Sequence, residues 1–180
     1  MYFKNIQELL NLKNNGILPY EDAEWNGVYG LNISIDFKLQ TLNDEEFQEV
    51  CNFIEQYSNL LRELYVPEIN VSILGEMNRL QKLCNAISKC KLLESIDLYG
   101  LIIEKIHSRY LQEINHIFLE CQNLKFLNLS WFPFNKLKMK NLQDLCGIIS
   151  GLTNLQKLNL FSIGFDKLKL PHCKLLCNTI

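Results

Sequence analysis

Apolar positions recur along this chain in two alternating rhythms. The run Leu93-x-x-Ile96-x-Leu98 returns as Leu124-x-x-Leu127-x-Leu129 and as Leu155-x-x-Leu158-x-Leu160, each time 31 residues on. Leu61-x-x-Leu64-x-Val66 precedes the first of these by 32 residues, and Val28-x-x-Leu31-x-Ile33 precedes that by 33. The alternation that closes each run predicts a short strand with one buried face. Between the runs, apolar residues are spaced by three and four, as in Leu80, Leu83, Cys84 and Ile87 or Leu142, Leu145, Cys146 and Ile149. That spacing is one face of a helix. Asn43 followed by Glu46 predicts a capping box at the start of the first such helix. A lone strand and helix cannot bury both apolar faces, whereas stacked copies share one core, with their strands side by side in a parallel sheet.

These runs and their spacing resemble the leucine-rich repeats, in the longer strand-plus-helix form of ribonuclease inhibitor. The resemblance implies an α/β solenoid, a horseshoe segment with its parallel β-sheet on the concave face and its helices on the convex face. Five repeats are expected over residues 28–180, with strands near 28–35, 61–68, 93–100, 124–131 and 155–162 and the last repeat incomplete. The family places Asn or Cys at the ninth position, where the side chain satisfies backbone groups in the turn. Here that position holds Ile69, Leu101, Phe132 and Ile163, so those groups need another partner. Cys90 to Leu93 and Cys121 to Leu124 share a Cys-x-x-Leu spacing that is similar to the cysteine-containing repeats of ubiquitin-ligase substrate adaptors.

Residues 1–27 break the pattern and read as an N-terminal capping helix and linker. Phe3, Ile6, Leu9 and Leu10 make a short amphipathic helix that Asn14-Asn15-Gly16 ends. A solenoid needs such an atypical element over its open end. Leu18-Pro19-x-Glu21 resembles the opening of an adaptor box, but the apolar helical pattern that should follow is absent. At the other end, the last helix is expected to begin near Cys173, and no polar capping element follows it. This predicts either continuation into a longer array or self-association through an uncapped C-terminal edge.

Composition narrows the function classes. The chain has 180 residues, 33 of them Leu and 20 Asn, with only Ala23 and Ala86 for alanine. The Asn, Lys and Ile excess is that of an AT-rich genome. Eighteen basic against 20 acidic residues give a net charge of −2. Such a chain lacks the basic field of a general nucleic-acid binder. No apolar run approaches membrane-spanning length, and no basic-then-apolar signal opens the chain, so no membrane partner is expected. Seven cysteines, an odd number without a signal peptide, point to a reducing, cytoplasmic compartment.

Cys51, Cys84, Cys146 and Cys177 share one helix register, with Asn115 in the remaining slot, and read as a core column. Cys90 and Cys121 form a second column at the helix ends. His172-Cys173-x-x-x-Cys177 has the spacing of half a metal site, but the core column already accounts for Cys177. His107, His116 and His172 repeat in phase with no Cys, Ser or acid, and there is no phosphate loop or nucleophile elbow. The expectation is therefore a protein without catalytic residues, metal or cofactor. Gln48, Gln81, Gln112 and Gln143 form a polar column that reads as a solvated convex face, and Lys136, Lys138 and Lys140 read as a solvated loop.

The remaining candidate is the strand face. The x positions of each run point away from the core. By column they are Gly30, Glu63, Ser95, Phe126 and Lys157; then Asn32, Tyr65, Asp97, Asn128 and Asn159; then Ser34, Pro67, Tyr99, Ser130 and Phe161, with Trp131 directly after. Aromatics set among small polar groups are what protein interfaces use as anchor and rim. The expected partner-binding residues are Tyr65, Asp97, Tyr99, Phe126, Asn128, Ser130, Trp131, Asn159 and Phe161, with Asp97, Asn128 and Asn159 supplying directional hydrogen bonds. Three roles fit such a module: a bacterial effector acting in host cytosol, the sensing or substrate-reading part of a larger innate-immune or ubiquitin-ligase protein, and a regulator of another enzyme. A GTPase-activating version of the last would need a placed arginine, and of Arg62, Arg79 and Arg109 only Arg62 is near a strand.

Overall fold

The computed structural model describes residues 2–15, 31–35, 39–66, 77–99 and 108–179. Strands and helices alternate: β1 (Tyr2–Phe3), α1 (Ile6–Asn15), β2 (Leu31–Ile35), α2 (Asp44–Gln56), β3 (Leu61–Tyr65), α3 (Met77–Ser88), β4 (Ser95–Asp97), α4 (Ser108–Glu120), β5 (Phe126–Asn128), α5 (Met139–Gly151), β6 (Lys157–Asn159) and α6 (Leu170–Thr179). The strands form one sheet in sequence order, and every pair is parallel. Each helix from α1 to α6 packs on its neighbours in the chain. This α/β arrangement is compatible with a solenoid.

The apolar rhythm explains the packing. Leu61, Leu64 and Val66, then Leu93, Ile96 and Leu98, then Leu124, Leu127 and Leu129 are all buried in one core. The helix stripes Phe47, Val50, Cys51 and Ile54, and Leu80, Leu83, Cys84 and Ile87, close the same core. Each such side chain contributes roughly 1.5–3 kcal/mol by leaving water. In the last repeat, Leu155, Leu158 and Leu160 are only partly buried, because among the described strands β6 is paired on one side alone. The capping box forms as expected: Asn43 Oδ1 accepts from the Glu46 N–H and Glu46 Oε2 accepts from the Asn43 N–H, both at 2.9 Å.

Neighbouring repeats are also tied by polar contacts. Asn123 donates to the Lys91 carbonyl at 2.7 Å, and Asn154 donates to the Gln122 carbonyl at 3.0 Å. Lys125 and Arg62 flank Glu94 from either side, at 2.7 and 3.5 Å. Arg79 pairs with Asp44, donates to the Leu42 carbonyl and lies over the Phe47 ring.

Four expectations need correction. The regular part of β4, β5 and β6 is three residues, not eight, because the chain turns off immediately after Asp97, Asn128 and Asn159. Inter-strand bonding nevertheless continues, from the Leu129 N–H to Asn159 O and from the Trp131 N–H to Phe161 O. The first repeat is out of register by two: Ile33, not Leu31, stands beside Leu64, with a bulge between Leu31 and Asn32. The step from Ile33 to Leu64 is thus 31 residues, matching the later repeats. Phe3 belongs to a two-residue strand beside Ser34 and Ile35 rather than to the first helix. Finally, α6 starts at Leu170, three residues before Cys173, and Cys177 is exposed while Cys51, Cys84 and Cys146 are buried, since no further described helix packs over it. Gly30, Pro67, Ile69, Leu101, His107 and the Leu18–Glu21 motif lie outside the described residues.

Candidate functional site

Opposite the helices, the sheet presents side chains in rows set by strand register. Glu63, Ser95, Phe126 and Lys157 stand side by side, and so do Ser34, Tyr65, Asp97, Asn128 and Asn159. The register correction moves Asn32 beside Glu63. The first row is chemically mixed. The Lys157 ammonium lies 5.2 Å from the centre of the half-buried Phe126 ring, a cation–π pair.

Asp97, Asn128 and Asn159 have a structural task. Their Oδ1 atoms accept from backbone N–H groups two residues on: Tyr99 at 2.8 Å, Ser130 at 3.0 Å and Phe161 at 3.1 Å. These are Asx turns, in which a short side chain replaces a backbone acceptor. They bend the chain out of the sheet at each strand exit. With the Phe132 N–H donating to Leu129 O at 3.1 Å, they satisfy backbone groups that the apolar ninth position cannot reach. Phe132 and Ile163 instead fill the core. Asn128 Nδ2 further donates to Asp97 Oδ2 at 2.9 Å, and the Ser130 hydroxyl donates to Asn128 Oδ1 at 2.6 Å. Asn128 and Ser130 are buried, so neither offers the contact surface expected of it; both hold the turn.

The turns carry the aromatics outward. Tyr99, Trp131 and Phe161 follow three successive strands and are 36%, 54% and 69% exposed, rising along the array. Trp131 has φ 66°, and Ser162, one repeat later, has φ 56°. Left-handed backbone is unfavourable for a residue with a Cβ, and a bulky one there is an outlier. The residue one repeat before Trp131 in the sequence is Gly100, which lies outside the described residues.

Among the described residues, one open depression lies on the sheet face and another on the helix side. One, of about 260 Å³, lies on the open sheet face between Ser34, Glu63, Tyr65, Ser95, Asp97 and Phe126. Glu63 and Ser95 were not among the expected contact residues, although both occupy outward positions that the column pattern already marks. The other, of about 350 Å³, lies across α2, α3 and α4, where Gln48, Cys51, Glu55, Lys82, Lys89 and His116 meet. Burial pushes the Cys51 thiol up to about 12, with Glu55 adding to the rise, so at neutral pH it is not a nucleophile. Burial likewise raises Cys90 and Cys121 to about 12. All seven cysteines are free thiols.

Comparison with protein-family models, with curated proteins and with solved structures returned no match.

The remaining chemical candidates are engaged elsewhere. His172 bonds through Nε2 to the Leu137 carbonyl at 3.1 Å, and the Cys173 thiol donates to Leu168 O. Among the described residues, no three His, Cys, Asp or Glu side chains gather as a metal site, and no helix is long and apolar enough to cross a membrane. The Arg62 guanidinium is turned sideways, toward Glu94 and the Leu92 carbonyl. Gln81, Gln112 and Gln143 are exposed on the helices, and Lys136, Lys138 and Lys140 are exposed at the entrance to α5.

Proposed function

We propose that this chain is a leucine-rich-repeat array that binds a partner protein through the open face of its sheet. Tyr99, Trp131 and Phe161 are the anchors, with Tyr65, Phe126 and Asp97 beside them. One observation carries the reading: Trp131 is more than half exposed on left-handed backbone. That conformation costs the fold about 1–2 kcal/mol, and exposure leaves the indole little burial energy to offset it. Strain kept at a bulky exposed residue supports a role outside the fold. The Asx turns hold the aromatic-bearing corners in place before a partner arrives, which lowers the entropy lost on binding.

The test is a paired capture from cell lysate, read by mass spectrometry. One bait is the native chain; the other carries Tyr99→Ala, Trp131→Ala and Phe161→Ala, with its fold checked by circular dichroism. A partner held by the first and lost by the second is the expected result. For that partner, Trp131→Ala alone weakens binding by about 2 kcal/mol, and Gln112→Ala on the helix face leaves it unchanged. Equal catches from both baits overturn the reading.

A further inference from the structure

The groove beside the aromatic row names the chemistry of its occupant. Among its described lining residues are two carboxylates, Glu63 and Asp97, and no Lys, Arg or His. Glu63 is exposed and forms no ion pair among the described residues. Among the described residues, the donors to Asp97 are neutral, the Tyr99 N–H and Asn128 Nδ2. Glu94, immediately outside the groove, shows the contrast: it sits between Lys125 and Arg62 and is neutralised. Two aromatic rings, Tyr65 and Phe126, also line the groove, and the protein's own Lys157 already lays an ammonium over the Phe126 ring. The volume of about 260 Å³ falls below the roughly 300–1,000 Å³ of small-molecule pockets, and suits a single side chain.

Building on the binding reading above, we infer that this groove receives an arginine or lysine side chain of the partner protein. The cation lies between Glu63 and Asp97 and against the Tyr65 ring, with Ser95 and Ser34 as hydroxyl acceptors. Carboxylates supply the charge complement, and the ring adds cation–π attraction, stronger where water is excluded. The partner segment is thus basic at the groove and apolar where it meets Trp131 and Phe161.

The probe is N-acetyl-arginine methylamide, titrated into the isotope-labelled chain and followed by amide NMR, with N-acetyl-glutamine methylamide as the neutral control. Saturable shifts are expected at Glu63, Tyr65, Ser95 and Phe126 from the arginine compound alone. Glu63→Gln weakens them about fivefold, the scale of one exposed charge contact. Asp97→Asn acts in the same direction and preserves the turn, since Asn fills the same role at Asn128 and Asn159. Shifts that do not saturate, that are equal for the glutamine compound, or that persist undiminished in Glu63→Gln overturn the inference. If the arginine probe fails but capture still depends on Trp131 and Phe161, docking stands and this groove assignment falls. If the probe binds but capture ignores the aromatics, the assignment stands and the docking reading falls.

Discussion

On the core side of β3, β4 and β5 the same kind of residue stands at each step: Leu64, Ile96, Leu127, all buried. On the opposite side, Glu63 is followed by Ser95, Phe126 and Lys157 in the same register. The backbone repeats equally on both faces, so backbone geometry does not explain the difference. One face must fit its neighbours in a close-packed interior, where volume is tightly constrained. The other is free to change from strand to strand. A third class sits between them. Asp97, Asn128 and Asn159 point to the open side, yet they repeat, because each closes the same turn. Repetition in this chain therefore tracks structural duty, and variation marks the face that packing leaves unconstrained.

Three substitutions probe that division, in order of size. Leu127→Ala removes a fully buried side chain and should cost about 3 kcal/mol in urea denaturation. A cost below 1 kcal/mol would mean that the core face is less tightly packed than described. Asn128→Ala should cost about 2 kcal/mol, because it leaves the buried Ser130 N–H and hydroxyl without their acceptor. A neutral result there would mean that the Asn128 side chain does not hold the turn. Trp131→Gly should raise stability by about 1 kcal/mol through relief of the left-handed strain, while partner capture falls. Loss of stability instead would make the indole a structural cover for the sheet.

The architecture was largely legible because it is written as spacing. Leu93, Leu124 and Leu155 recur at one interval, and strand, helix and stacking order follow from it. The register of β2 was not legible. Val28-x-x-Leu31-x-Ile33 and the pair Ile33, Ile35 alternate equally well, and a slip of two keeps the same face inward, so the pattern cannot separate them. The bulge between Leu31 and Asn32 leaves no compositional mark. For Asp97, Asn128 and Asn159, period-two alternation gives direction only, and so predicts hydrogen-bonding groups on the open face without naming their partners. Whether Asn128 bonds a partner or its own Ser130 is decided by the turn. Cys177 shares its register with Cys146, but burial depends on which helix lies over it, and register does not carry that. The open-face aromatics were readable as a group; the left-handed backbone of Trp131 was not, since sequence expects glycine there.

The most direct test of which face binds is hydroxyl-radical footprinting of the chain with and without its captured partner. Leu119 on α4 is 55% exposed, close to Trp131 at 54%, and serves as the helix-side control. Oxidation of Trp131 and Phe161 should drop several-fold in the complex while Leu119 is oxidised as before. Protection of Leu119 with Trp131 and Phe161 unchanged would contradict docking on the sheet face, and would place recognition on the helices.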